Sequence, residues 1–220
     1  MGNLSGQIAL QVDAAIEVLK DGGIVAFPTD TVYGLGGNVF NGKVVERIYR
    51  VKQRPRDLPL PVLLADLAQL AAVVDSVPGI AKFLMSRFWP GGLTLVLSKR
   101  TSFPDVITAG SDKVAIRIPN HVVPLALIDG LGMPIIGTSA NISDKPSPVT
   151  AEEVEQQIGS QVDLIIDMGR CLGGLESTVI DVTGETPTVL RHGLISEGDI
   201  KRACQEYARE VGKGAYCSGL

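Results

Sequence analysis

The sequence predicts an α/β fold, a mostly mixed sheet with helices on both faces, on three observations. Helical and strand-like patterns are mixed along the chain. The strands are short continuous apolar runs, as expected of a sheet covered on both sides. The chain has 220 residues, 45% hydrophobic and 20% charged, which suits one large globular domain.

Residues 8–20 place Ile8, Val12, Ala15, Ile16 and Leu19 on one helical stripe, stopped by Asp21, Gly22 and Gly23. Residues 24–27 read as a short buried strand cut by Pro28. Val44, Val45, Ile48 and Tyr49 form one face of a second helix, whose end is marked by Pro55. Residues 60–64, 93–97, 114–118, 134–136, 164–166 and 179–182 read as strands. Residues 79–87, 122–131, 151–158 and 196–211 supply the covering helices. The chain carries 25 Gly and 13 Pro, interleaved with apolar runs, so they mark turns rather than disorder. One domain is expected over residues 1–211, followed by a frayed tail over 212–220.

Charge and composition close off several classes of function. Twenty Lys and Arg against 24 Asp and Glu leave a net charge of −4, which argues against coating a polyanion but permits a local basic pocket. Three cysteines (Cys171, Cys204, Cys217) form no C-x-x-C, and the two histidines (His121, His192) lack ligand spacing, so no protein-held metal site is expected. A sparse, odd cysteine set suits a reducing compartment. No signal-peptide pattern opens the chain, and no apolar run approaches the ~18 residues of a membrane span. The expected location is cytoplasmic, without membrane contact.

Four segments stand out for chemistry. Residues 27–37 (FPTDTVYGLGG) put hydroxyls and glycines just after a strand, where open α/β sheets bind ligands; an ordinary glycine turn is the alternative. Gly34 and Gly36 match two positions of the dinucleotide fingerprint, but Val39 stands where the third glycine belongs, and no Walker loop occurs. Next, Arg47, Arg50, Lys52, Arg54 and Arg56 concentrate five cations in ten residues. With Arg47, Arg50 and Arg54 on one helix face, they form either a solvated basic face or a polyphosphate clamp. Residues 137–143 (GTSANIS) resemble a nucleophile elbow only in part, since Asn141 replaces the second glycine. Ser139 and Asn141 read better as hydrogen-bonding groups for a polar ligand, or for their own loop. Finally, Arg117 lies inside an apolar strand, where a charge demands an anionic partner, internal or bound.

In this order, residues 27–36, the K-x-R of Lys52 to Arg54, residues 115–121 (AIRIPNH), the S-x-N of Ser139 to Asn141, Glu176 to Val179 and Leu190-Arg191 closely resemble the YrdC family of threonylcarbamoyl-AMP synthases. The resemblance covers residues 8–208 and is to the short, single-domain form. It implies a YrdC-like fold with a large concave, positively charged cavity. It further implies an enzyme, a nucleotidyltransferase, that takes L-threonine, bicarbonate or CO2, and ATP, and releases threonylcarbamoyl-AMP and pyrophosphate. A downstream threonylcarbamoyl transferase complex would use the product to modify adenosine 37 of tRNA, and direct tRNA contact is left open. By position, Thr31, Tyr33, Arg117, Gly137 (through its backbone) and Ser177 would face L-threonine. Lys52, Arg54, Lys113, Ser139, Asn141, Ser147 and Arg191 would face ATP, with Lys52 and Arg54 the catalytic pair that neutralises phosphate charge and Mg2+ bridging the phosphates. Two places depart from the family pattern: Leu58 and Leu63 stand where many relatives carry Asn and His. The alternatives are a double-stranded RNA or tRNA-binding module without catalysis, and a paralogue that forms a carbamoyl-adenylate.

Overall fold

The computed structural model describes residues 6–212, so Cys217 and all of the expected tail except Gly212 lie outside the described residues. In chain order the elements are α1 (Gly6–Lys20), β1 (Val25–Phe27), β2 (Gly34–Gly36), α2 (Gly42–Val51), β3 (Val62–Leu63), α3 (Leu70–Val73), α4 (Gly79–Phe88) and β4 (Leu93–Ser98). There follow α5 (Asp105–Thr108), β5 (Lys113–Arg117), α6 (Val122–Leu131), β6 (Ile135–Ile136), β7 (Thr138–Ser139), α7 (Ala151–Ile158), β8 (Leu164–Ile165), β9 (Thr178–Asp181), β10 (Thr188–Arg191) and α8 (Glu197–Glu210). Three of the helices, α2, α7 and α8, begin where short polar side chains satisfy free backbone amides. Asn41 accepts from the amides of Lys43 and Val44, Thr150 from that of Glu153, and Ser196 from that of Asp199.

Two mixed sheets take the place of the single expected one. A four-stranded sheet runs β7-β2-β1-β8 and a six-stranded sheet runs β10-β9-β4-β5-β3-β6. Both contain parallel pairs (β1 with β8, β3 with β5, β4 with β9) beside antiparallel ones, and in the six-stranded sheet the two kinds alternate. The chain crosses from the six-stranded to the four-stranded sheet at Gly137, the residue between β6 and β7. The larger core cluster includes Ile24, Tyr49, Leu84, Leu95, Ile116 and Ile180. A second gathers Leu19, Phe27, Leu127 and Ile128 beneath α1 and α6. Burial of such side chains at about 25 cal/mol per Å² is the main stabilising term.

The expected helices at 8–20, 79–87, 122–131, 151–158 and 196–211 and the expected strands all have counterparts, although the strand expected over 60–64 shrinks to the two residues of β3. Three differences stand out. Gly34 and Gly36 form strand β2 rather than a turn, and the Phe27 ring lies against both; a Cβ there would stand 2.9 Å and 2.7 Å from ring atoms. Strand β10 escapes the hydropathy pattern because it is an edge strand, with Leu190 exposed. Helix α2 ends at Val51, not at Pro55. Gln53 adopts φ 49°, the amide of Arg54 donates to the Tyr49 carbonyl, and that of Gln53 donates to Arg50, a Schellman close built on glutamine.

Candidate active site

The early end of α2 decides which cations can act together. Lys52, as the helix cap, and Arg54, one residue past the left-handed Gln53, turn into a cavity of about 470 Å³ at the junction of the two sheets. The other three members of the basic cluster go elsewhere: Arg47 pairs with Asp163 at 2.6 Å, Arg56 pairs with Glu46 and stacks on Tyr49, and Arg50 is exposed. The five-cation clamp expected from the sequence is therefore two cations, completed by Arg191 from β10 and Arg117 from β5.

Arg117 marks one end of the cavity. Its side chain is only 7% exposed, and it donates from Nε to the Gly91 carbonyl at 2.8 Å, from Nη1 to Thr31 Oγ1 at 2.9 Å and from Nη2 to Asp30 Oδ1 at 2.5 Å. Burial works against its charge, and the Asp30 carboxylate restores it. The internal partner weighed for this buried charge is thus Asp30, and two of the five guanidinium N–H groups are left for a ligand. Thr31 also bonds Thr29 at 2.9 Å. Ser177 Oγ lies 2.8 Å from Thr94 Oγ1 and accepts from Arg191 Nη2 at 3.0 Å. Tyr33 donates to the Gly169 carbonyl at 2.9 Å; burial pushes its phenol far up, so it stays protonated. Gly137 lines the cavity, but its amide donates to the Pro61 carbonyl at 2.9 Å, so its backbone has only a carbonyl to present.

Lys52 marks the other end and is 1% exposed. Its Nζ donates to the Ser139 carbonyl at 2.5 Å, the Asn141 carbonyl at 2.8 Å and Asn141 Oδ1 at 3.1 Å. All three ammonium hydrogens are therefore engaged, and Lys52 offers the cavity a positive charge while pinning the 139–141 loop. Asn141 in turn donates to the Lys145 carbonyl at 2.6 Å, so its amide mainly shapes that loop. Burial, reinforced by the Arg54 charge, pulls the Lys52 pKa down to about 7. Arg54 donates to the carbonyls of Leu58 (3.2 Å) and Pro59 (2.9 Å), and the carbonyl of Leu58 also accepts from Tyr49.

Thr31, Tyr33, Lys52, Arg54, Arg117, Gly137, Ser139, Asn141, Ser147, Ser177 and Arg191 all line this one cavity. Lys113 does not. It opens β5, and its ammonium pairs with Asp181 at 2.9 Å. Neither histidine lines the cavity. His121 caps α6 through Nδ1 and His192 is exposed, so the 137–143 segment carries no Ser–His pair. Leu58 and Leu63, the two departures, both sit in the wall, and Leu63 packs directly on Gly137.

Site residues the sequence reading passed over are Asp30, Thr94, Ser143 and Glu176. Asp30 and Glu176 stood inside quoted motifs, and two carboxylates beside invariably charged arginines were the available signal. The Ser143 hydroxyl is buried in the wall with no partner. Glu176 accepts from Ser147 Oγ at 2.6 Å and pairs with Arg191 Nη1. Burial opposes its charge, but Ser147 and Arg191 together hold its pKa below the usual carboxylate range. Chemically, the cavity offers two adjoining anion-binding ends and several hydroxyls. Among the described residues, no three His, Cys, Asp or Glu side chains gather as a metal cage.

The family model Sua5_yciO_yrdC, described as telomere recombination, matches residues 17–193. The threonylcarbamoyl-AMP synthase of Pyrococcus abyssi is 43% identical over 89% of this chain and 58% of its own length. That of Bacillus subtilis is 45% identical over 87% of this chain and 56% of its own length. The crystal structure of P. abyssi Sua5 complexed with L-threonine superposes with a TM-score of 0.85 at 44% identity, over 87% of this chain and 56% of that one. The chain thus spans a little over half the length of these relatives.

Proposed function

The chain belongs to the Sua5/YciO/YrdC family, and from that premise we propose that it is a threonylcarbamoyl-AMP synthase. One observation carries the reading: a single cavity brings a buried arginine at one end next to a Lys52–Arg54–Arg191 group at the other. An amino-acid carboxylate and a polyphosphate are the two anions such a pair of ends would take together.

In this reading Arg117, with Thr31 and Ser177, receives the carboxylate and hydroxyl of L-threonine. Tyr33 closes that end, and the Gly137 carbonyl lies within the same wall. Arg54 and Arg191, with the hydroxyls of Ser139, Ser143 and Ser147, receive the phosphates, and Lys52 adds charge from beneath the 139–141 loop. Threonine's amine adds to CO2, drawn from bicarbonate, and loses a proton to give a carbamate. A carbamate oxygen then attacks the α-phosphorus as the bond to the β-phosphate oxygen breaks, which yields threonylcarbamoyl-AMP and pyrophosphate. No covalent nucleophile is required; alignment of the reactants and charge neutralisation supply the rate. Magnesium fits as part of the nucleotide substrate, held by phosphate oxygens, since the described residues gather no cage of their own. Delivery of the product to a tRNA-modifying transferase belongs to the same reading, as does a cytoplasmic setting; no described helix is long and apolar enough to cross a membrane.

The test is pyrophosphate release by the purified chain with ATP, L-threonine and bicarbonate, each omitted in turn. Release should need all three. Arg54→Ala should lower it at least about a hundredfold, the scale of losing one fixed charge-stabilising donor, and Lys113→Ala should leave it unchanged. No release, together with tRNA binding that weakens steeply with salt, would favour a nucleic-acid-binding module instead.

A further inference from the structure

Five cations line the cavity, Lys52, Arg54, Arg117, Lys145 and Arg191, against two carboxylates, Asp144 and Glu176; Asp144 and Lys145 lie on the exposed rim and Glu176 is partly buried. The two arginines that carry partners are paired in different ways. Asp30 holds Arg117 but is not part of the cavity lining, so it backs that arginine from behind. Glu176 lies in the lining itself. Its oxygens take the Ser147 hydroxyl and an Arg191 N–H, two of the donors that the nucleotide reading gives to phosphate oxygens. A carboxylate oxygen and a phosphate oxygen are the same kind of acceptor to a hydroxyl or a guanidinium.

We propose that Glu176 is a resident anion. Its carboxylate occupies, in the unliganded cavity, the place of a phosphate group, and a polyphosphate must displace it from Ser147 and Arg191 to bind. This rests on the nucleotide reading of the site and extends it to selectivity. An anion with one phosphate replaces Glu176 at little gain. A triphosphate also reaches Arg54 and the Lys52 charge, and so outcompetes it. The same carboxylate keeps Lys52, Arg54 and Arg191 from facing one another uncompensated, and its return helps expel pyrophosphate. Glu176 is in this sense a positioning and selectivity residue rather than a catalytic one.

The experiment compares wild type with Glu176→Gln by calorimetric titration with pyrophosphate, inorganic phosphate and ATP at fixed salt, and by steady-state pyrophosphate release. Removing a like charge a few ångströms from the bound anion should tighten pyrophosphate binding about tenfold or more. It should also make inorganic phosphate binding measurable, and lower KM for ATP and kcat together. A merely structural contact would raise KM instead. Unchanged or weaker pyrophosphate binding in a variant that melts like wild type overturns the proposal. Glu176→Ala gives a second route: formate should fill the vacated place and compete with pyrophosphate, and no competition counts against the idea. If neither variant melts cooperatively, Glu176 is a folding element and the proposal fails. Tighter anion binding in Glu176→Gln with no threonine-dependent turnover in wild type would leave the resident anion standing and remove the synthase reading. Turnover in wild type with unchanged anion affinity in Glu176→Gln would do the reverse.

Discussion

Asp30→Asn isolates the balance on which the threonine end rests. Arg117 spends three of its five N–H donors on the protein, and of those three partners only Asp30 carries a charge. The substitution keeps the size and one acceptor oxygen of the side chain but leaves a guanidinium 7% exposed without its counter-charge. Breaking a buried pair from one side costs about 3–5 kcal/mol. The low end, about 3 kcal/mol, applies because the Asp30 side chain is itself 15% exposed and the amide oxygen can still accept. For a chain of this size that lowers Tm by about 6–12 °C, read by scanning calorimetry. A loss under about 1 kcal/mol, near the value of an exposed pair, would refute the claim that Asp30 carries the charge balance of Arg117. Added L-threonine sharpens the test, since its carboxylate would supply the missing charge. At equal concentration it should raise Tm more in Asp30→Asn than in wild type. No shift in either protein would remove Arg117 as the carboxylate site.

Four further outcomes are expected. Because burial pulls the Lys52 pKa to about 7, the affinity for sulfate, an anion whose own charge is constant over the range, should fall as pH rises from 6 to 8.5, with the midpoint moved upward by the bound anion; a flat titration series would mean that Lys52 keeps its proton. Its folded pKa lies below the ordinary 10.5, so between those values the unfolded chain binds more protons and this group makes stability rise with pH, which urea melts across pH 7–10 would detect. Gln53→Gly should stabilise the chain by about 0.5–1 kcal/mol in urea unfolding, since the residue holds φ 49°; a net loss would show that the glutamine side chain matters more than its backbone. At Gly137 a Cβ would stand 2.1 Å from Leu63 Cγ, so Gly137→Ala should cost about 1–3 kcal/mol, and Leu63→Ala added to it should return part of that loss; strictly additive losses would deny the contact.

Much of the fold is legible in the sequence because burial leaves periodic traces. The stripe from Val12 to Leu19 packs inward as read, and the continuous runs at 93–97 and 114–118 become the central strands β4 and β5. Strands without an apolar signature leave no such trace. Strand β2 is Gly-Leu-Gly, covered by the Phe27 ring, and β7 is two hydroxyl residues reached only after the chain pivots at Gly137. The cation cluster shows the limit most plainly. Arg47 and Arg54 look alike along the chain, yet the left-handed turn at Gln53 sends Arg54 to the cavity while Asp163 captures Arg47.

The sequence by itself determined the mixed α/β class, most of the helices and strands, and the set of polar motifs that share one site. It did so because hydrophobic period and motif order are properties of the chain alone. Only the tertiary structure decided the division into two sheets and the partners of the buried charges. Arg117 finds Asp30, and Lys52 closes on three oxygens of the 139–141 loop. Arg191 finds Glu176, which the motif order leaves looking like an ordinary carboxylate. Those partners are set by distance and dielectric between segments far apart in the chain, and no local pattern encodes either quantity.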